Sequence, residues 1–190
     1  MKKRRFLRQE ILFSLLLLPL MLPAFGCDKG KQPGPITLGS AAPEFRCEDL
    51  EGRFRNLEEE KGRVVLLRFW ADWCPYCRFE MPVIEKYYLM LREQGFQVLA
   101  VNVKQSSAVA EAFSVQLGIT FPVLLDPEGK VALKYKVHTI PTNFLIDRKG
   151  VIREILIGEV FRKEEVLDEL LRGYFPQKLQ SRNEHKEEQR

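Results

Sequence analysis

Histidine and cysteine are scarce in this chain: two histidines (His138, His185) and four cysteines (Cys27, Cys47, Cys74, Cys77) among 190 residues. A tetrahedral zinc site draws four such ligands from paired, closely spaced positions. Cys74 and Cys77 make one pair, and no second pair stands at a ligand spacing. The expectation is a protein without a metal or other cofactor. A membrane-spanning run is also missing. The longest apolar stretch combines Ile11–Phe13, Leu15–Leu18 and Leu20–Leu22. At about a dozen residues it falls short of the roughly 20 that cross a bilayer. Net charge is missing as well, once its source is located. Five of the 30 basic and one of the 26 acidic residues lie in 1–27, which leaves 25 of each sign beyond. Without a net positive field, binding to nucleic acid has no electrostatic drive. There is no internal repeat.

What is present centres on F-W-A-D-W-C-P-Y-C at 69–77. The apolar run from Val64 ends here, and Met81, Ile84, Tyr88 and Leu91 then recur at helical spacing. A strand thus ends near Ala71 and a helix starts near Cys74. A helix N-terminus offers unpaired N–H groups and a partial positive charge, which favour an anion. A thiolate at Cys74 is the nucleophile of disulfide exchange. Cys77, a turn deeper, is shielded and placed to resolve a mixed disulfide on Cys74. Pro75 suits the first helical position, where its missing N–H had no partner. A purely structural bridge closing so short a loop would add little stability.

The first residues are basic (Lys2, Lys3, Arg4, Arg5, Arg8) and then apolar, the pattern of a secretory signal. The end of that segment, A-F-G-C-D at 24–28, resembles a lipoprotein signal, with Cys27 as the lipid-bearing residue and Asp28 as an inner-membrane retention signal. An uncleaved anchor is the other reading. Both place the protein outside the cytoplasm and tied to a membrane. The expected organisation is a targeting segment 1–27, a Gly- and Pro-rich linker 28–40, one domain 41–175, and a charged tail 176–190, disordered or a solvated helical extension. His185 falls in that tail.

Within the domain, Glu44–Cys47 and Arg53–Leu57 read as a hairpin, and Val64–Trp70 as a strand covered on both faces. The helix after Cys74 runs to about Gln94-Gly95, where glycine suits its end. A strand (Phe96–Val103), a helix (Ala108–Leu117, stopped by Gly118), a strand (Phe121–Leu125) and a short helix (Val131–Tyr135) follow. Asn143–Ile146 and Val151–Ile157 form a second hairpin, and Glu164–Leu171 is an amphipathic helix. β-α-β connections imply parallel pairing, and the late hairpin an antiparallel edge.

The stretch V-V-L-L-R-F-W-A-D-W-C-P-Y-C-R-F-E-M-P resembles the thioredoxin-fold thiol–disulfide oxidoreductases of the TlpA/ResA type. A-P-E-F at 42–45, F-P-V-L-L-D-P-E-G at 121–129 and I-P-T-N-F-L-I-D at 140–147 extend the resemblance over roughly residues 40–173. It implies an α/β thioredoxin-like fold with an N-terminal β-hairpin and a central insertion between Gln105 and Tyr135. It also implies that Pro141 is a cis-proline beside the cysteines. Proline is the residue that tolerates a cis bond at little cost, and it donates no ladder hydrogen bond. Ile140 would present its backbone to a bound partner, with Trp73, Pro75 and Tyr76 as further contacts. The implied activity is reduction of disulfides in exported proteins, such as apocytochrome c haem-binding pairs. A membrane electron donor of the CcdA/DsbD kind would supply the electrons. A disulfide oxidant or isomerase, or a non-catalytic thioredoxin-like binding module, are the alternatives.

The chain departs from that family in three places. Pro75-Tyr76 is a pair familiar from glutaredoxins. Arg68 stands where thioredoxins carry a buried aspartate and relatives often an asparagine. It either reaches solvent with no part in the reaction or belongs to the site, and an arginine cannot shuttle a proton. Lys104 and Gln105 stand where some relatives have an acidic residue, so the proton acceptor for Cys77 has no assignment. Cys47, on the same strand face as Phe45, reads as a core thiol. His138 reads as a loop residue near the site.

Overall fold

The computed structural model describes residues 34–188. The segment 1–27, with Cys27 and the anchoring it was expected to provide, lies outside the described residues.

Two short strands, β1 (Arg46–Glu48) and β2 (Phe54–Asn56), form the expected antiparallel hairpin, with Cys47 opposite Arg55. The Asp49 carboxylate closes its turn by accepting from the backbone N–H groups of Glu51 and Arg53, at 3.0 and 2.9 Å. Next come β3 (Val64–Trp70), helix α1 (Pro75–Leu91), β4 (Phe96–Val103) and helix α2 (Ser107–Leu117). Gly118 ends α2 with φ +64°, a conformation that a Cβ disfavours. They are followed by β5 (Val123–Asp126), the one-turn helix α3 (Lys130–Lys134), β6 (Thr142–Ile146) and β7 (Ile152–Ile157). Two helices close the chain, α4 (Glu164–Arg172) and α5 (Pro176–Glu188).

The main sheet runs β5-β4-β3-β6-β7. β3 pairs in parallel with β4 and β4 with β5, while β6 is antiparallel to both β3 and β7. Strand periodicity then sorts β3 into two faces. Val64, Leu66 and Trp70 join Met81, Ile84 and Leu91 of α1, Phe113 of α2 and Leu167 of α4 in one core. Val65, Leu67 and Phe69 join Cys47, Leu57, Val131 and Tyr135 in the other. All seven residues of β3 are buried, which is why the sequence shows an unbroken apolar run there. The one charge in that run, Arg68, shares the face of Leu66 and Trp70, the face covered by α1.

At the C-terminus, residues 176–188 form a helix whose Leu179 is only 1 % exposed and belongs to the α1-side core. Arg182 donates to the Asp168 carboxylate at 2.8 Å and also pairs with Glu164. This part of the tail is therefore packed through Leu179 rather than merely solvated.

Candidate active site

Cys74 is the N-cap of α1, with extended backbone (φ −86°, ψ 108°), and Pro75 begins the helix. Cys74 and Cys77 are joined as a disulfide, with Cα atoms 5.3 Å apart. The Cys77 backbone N–H donates to Cys74 Sγ at 3.2 Å, the first-turn donor that an N-cap captures. After reduction the same N–H and the helix dipole would favour a thiolate on Cys74. Both sulfurs are shielded, Cys74 being 2 % and Cys77 0 % exposed. Next to them along the chain three large apolar side chains stand out to solvent: Trp73, Tyr76 and Phe79. Phe79 escaped the sequence reading because its helical position looks like any other apolar residue of α1.

The turn leading into Cys74 is held by Gln105. Its Oε1 accepts from the Asp72 N–H and from Asn102 Nδ2, both at 2.9 Å, and its Nε2 donates to the Asp72 carboxylate. Gln105 is thus a clamp on the cysteine loop, not a proton acceptor. The Ile140–Pro141 peptide bond is cis. Thr142 is the register partner of Phe69, which sets Pro141 beside the end of β3, where the cysteine loop begins. Ile140 and Trp73 line one groove. Among the described residues no backbone hydrogen bond engages Ile140, while the Pro141 carbonyl accepts from Gly158 at 2.8 Å.

Of the two readings the sequence leaves open for Arg68, the structure excludes the one in which it reaches solvent. It is 0 % exposed, and Nη2 pairs with Glu80 Oε2 at 2.8 Å, itself 0 % exposed. Nη1 donates to Asn143 Oδ1 at 2.9 Å. The other Glu80 oxygen, Oε1, accepts from the N–H groups of Val160 and Phe161, each at 2.6 Å. Burial pushes the Arg68 guanidinium below its ordinary range, and the Glu80 carboxylate opposes that shift. Glu80 lies three residues past Cys77 on α1, yet every oxygen it has is engaged. The pair is a cross-tie between β3, β6, α1 and the loop before α4. No sequence signal marks it beyond a glutamate in a helix and an arginine in an apolar run.

Cys47 is a buried core thiol, as expected. Burial, with the Asp126 carboxylate adding, pushes its pKa up to about 11. At pH 8, iodoacetamide should therefore leave Cys47 unmodified in the folded protein and label it once the chain is denatured, as peptide mass mapping would show. An unfolded thiol ionises near 8.5. Its contribution to stability is complete below that pH and is lost as pH rises toward about 11. His138 lies on the wall of the groove shared by Trp73 and Ile140. Among the described residues no cluster of three or more His, Cys, Asp or Glu side chains is arranged to hold a metal ion.

Comparison with known proteins agrees with this arrangement. Residues 38–155 match the model of the AhpC/TSA family. The thiol-disulfide oxidoreductase ResA of Geobacillus thermodenitrificans is 35 % identical over 164 residues, covering 86 % of this chain and 94 % of the relative. The protein of the same name in Bacillus subtilis is 35 % identical over 157 residues, covering 83 % and 87 %. A crystal structure of a putative thiol:disulfide interchange protein DsbE from Chlorobium tepidum superposes with a TM-score of 0.67 at 34 % identity, over 71 % of this chain and 95 % of that one.

Proposed function

This chain belongs to the AhpC/TSA family and groups with the thiol–disulfide oxidoreductases named ResA, and from that premise we propose that it is an extracytoplasmic reductase of disulfides in exported proteins. Its chemistry is dithiol–disulfide exchange. The observation that carries the finer reading is the Cys74–Cys77 pair at the N-terminus of α1, adjoined in the chain by the exposed Trp73 and Tyr76, with the unpaired backbone of Ile140 in the groove that Trp73 lines.

The Cys74 thiolate attacks one sulfur of the substrate disulfide and expels the other as a thiolate, leaving a mixed disulfide. Cys77 then loses its proton and attacks Cys74 Sγ, which releases the second substrate sulfur. Two electrons pass to the substrate, which leaves as a dithiol, and the enzyme is left as the Cys74–Cys77 disulfide. The expelled thiolate is itself a base of pKa near 8.5, fit to take the proton that Cys77 gives up. The free N–H and C=O of Ile140 offer a substrate strand a place to pair.

The basic-then-apolar N-terminus supports a membrane-tied protein, through lipid on Cys27 or through an uncleaved anchor. The proposal extends to substrates such as apocytochrome c cysteine pairs and to a membrane donor of the CcdA/DsbD kind, on the strength of the sequence resemblance alone. The test is the reduction potential of the Cys74–Cys77 couple, measured by equilibration with glutathione. We expect a value between about −200 and −270 mV, the range of glutaredoxins to thioredoxin. A value near about −120 mV, that of a strong oxidant, would make the protein a donor of disulfides instead.

A further inference from the structure

We propose that Lys104 selects substrates that carry an acidic residue next to the target disulfide. The proposal rests on the reductase reading and adds to it a substrate class. Beside the cysteine pair lies a groove of about 490 Å³ whose apolar wall includes Trp73, Leu133, Val137 and Ile140, and which Lys104 and His138 also line. Trp73 and Ile140 tie this groove to the reacting cysteines, so a polypeptide presenting a disulfide to Cys74 lays its neighbouring residues there.

Its backbone and its stem together set Lys104 apart. Among the described residues only two non-glycine side chains have positive φ, and both are lysines: Lys104 at +58° and Lys136 at +53°. A Cβ disfavours that conformation, and glycine would occupy either position more easily. Lys136 lines the adjoining groove, and His138 lines both. The stem of Lys104 also lies across Gly129, where an added Cβ would stand 2.7 Å from its Cε. A bare glycine thus gives the side chain a track along the groove that both residues line. Backbone strain retained beside a reactive centre points to use of the side chain it positions.

The charge of Lys104 is also unspent. The neighbouring carboxylates are engaged elsewhere: Asp72 by Gln105, Asp126 by the N–H groups of Val131 and Ala132, and Glu128 by Lys130. Among the described residues no hydrogen bond or ion pair engages the Lys104 ammonium. A cation with no partner on an apolar groove complements an acidic side chain of an extended peptide.

The test uses the full-length protein and synthetic peptides that contain one intramolecular disulfide and differ in a single flanking residue, glutamate, glutamine or lysine. The quantity read is the ratio of rate constants for reduction of the glutamate and glutamine peptides. For the unaltered protein we expect a preference for glutamate of about three- to fivefold, the size of a partly exposed ion pair. High salt should flatten it. Lys104→Gly, which fits the backbone, should bring the ratio to about one while keeping or raising the melting temperature, and Lys104→Glu should favour the lysine peptide. A ratio unmoved by both substitutions would overturn the charge selection alone. Failure of the unaltered protein to reduce even the glutamine peptide would overturn the reductase reading and the selection with it.

Discussion

Replacing Arg68 with methionine is expected to destabilise the oxidised protein by about 3–5 kcal/mol, the usual cost of stranding one half of a buried ion pair. The substitution leaves Glu80, which is 0 % exposed, as a lone carboxylate in the α1-side core. Two backbone N–H groups still serve its Oε1, but nothing then faces Oε2, and Asn143 Oδ1 loses its donor as well. Charge, not shape, is the main loss, because methionine fills much of the arginine's volume. Adding Glu80→Gln should therefore recover most of the stability: the amide oxygen keeps accepting from Val160 and Phe161, and no charge remains. Urea unfolding of the two single variants and the double variant measures this. Arg68→Met and the double variant equal in midpoint would show that the stranded Glu80 charge is not what costs the stability. For a domain whose total stability is of the order of 5–15 kcal/mol, the single change is close to lethal.

The largest effect on activity is expected at the cysteines, and it is asymmetric. Cys77→Ser should retain the first attack and accumulate mixed disulfides through Cys74, since nothing is left to resolve them. Cys74→Ser should abolish exchange. The N-cap geometry is the reason: Cys74 Sγ receives the Cys77 N–H at 3.2 Å and sits at the positive end of α1, whereas Cys77 is a turn inside and fully buried. Non-reducing gels with mass identification of the trapped position distinguish the two. Equal trapping through position 77 in Cys74→Ser would reverse the assignment of nucleophile and resolving thiol.

The sheet and its order of elements were legible because they rest on local chemistry. Val64–Trp70 and Phe96–Val103 are strands with the limits read from their apolar runs, and the remaining elements differ by a few residues at their ends. Phe121, for instance, precedes β5, and Ala108 follows the first residue of α2. The cysteine pair was equally legible: spacing, the preceding strand and Pro75 state the chemistry within nine residues. Gly118 announced the end of α2 through a backbone conformation that other residues avoid.

What sequence alone determined about this protein is thus what neighbours along the chain dictate: the alternation of strands and helices, the thiol pair at a helix start, and the burial of Cys47 beside Phe45. Only the tertiary structure decided the fate of Arg68, whose partners lie 12 and 75 residues away and meet it when α1 closes over β3 and β6 pairs beside it. A solvated arginine and a buried one look the same in sequence, since long charged side chains normally reach water unless a partner is already in place. The same holds for Gln105, which reaches back 33 residues to fix the cysteine turn. It holds again for Leu179, whose lone apolar side chain in a charged stretch finds its core across a helix pair. Each depends on a distance in space that no spacing along the chain encodes.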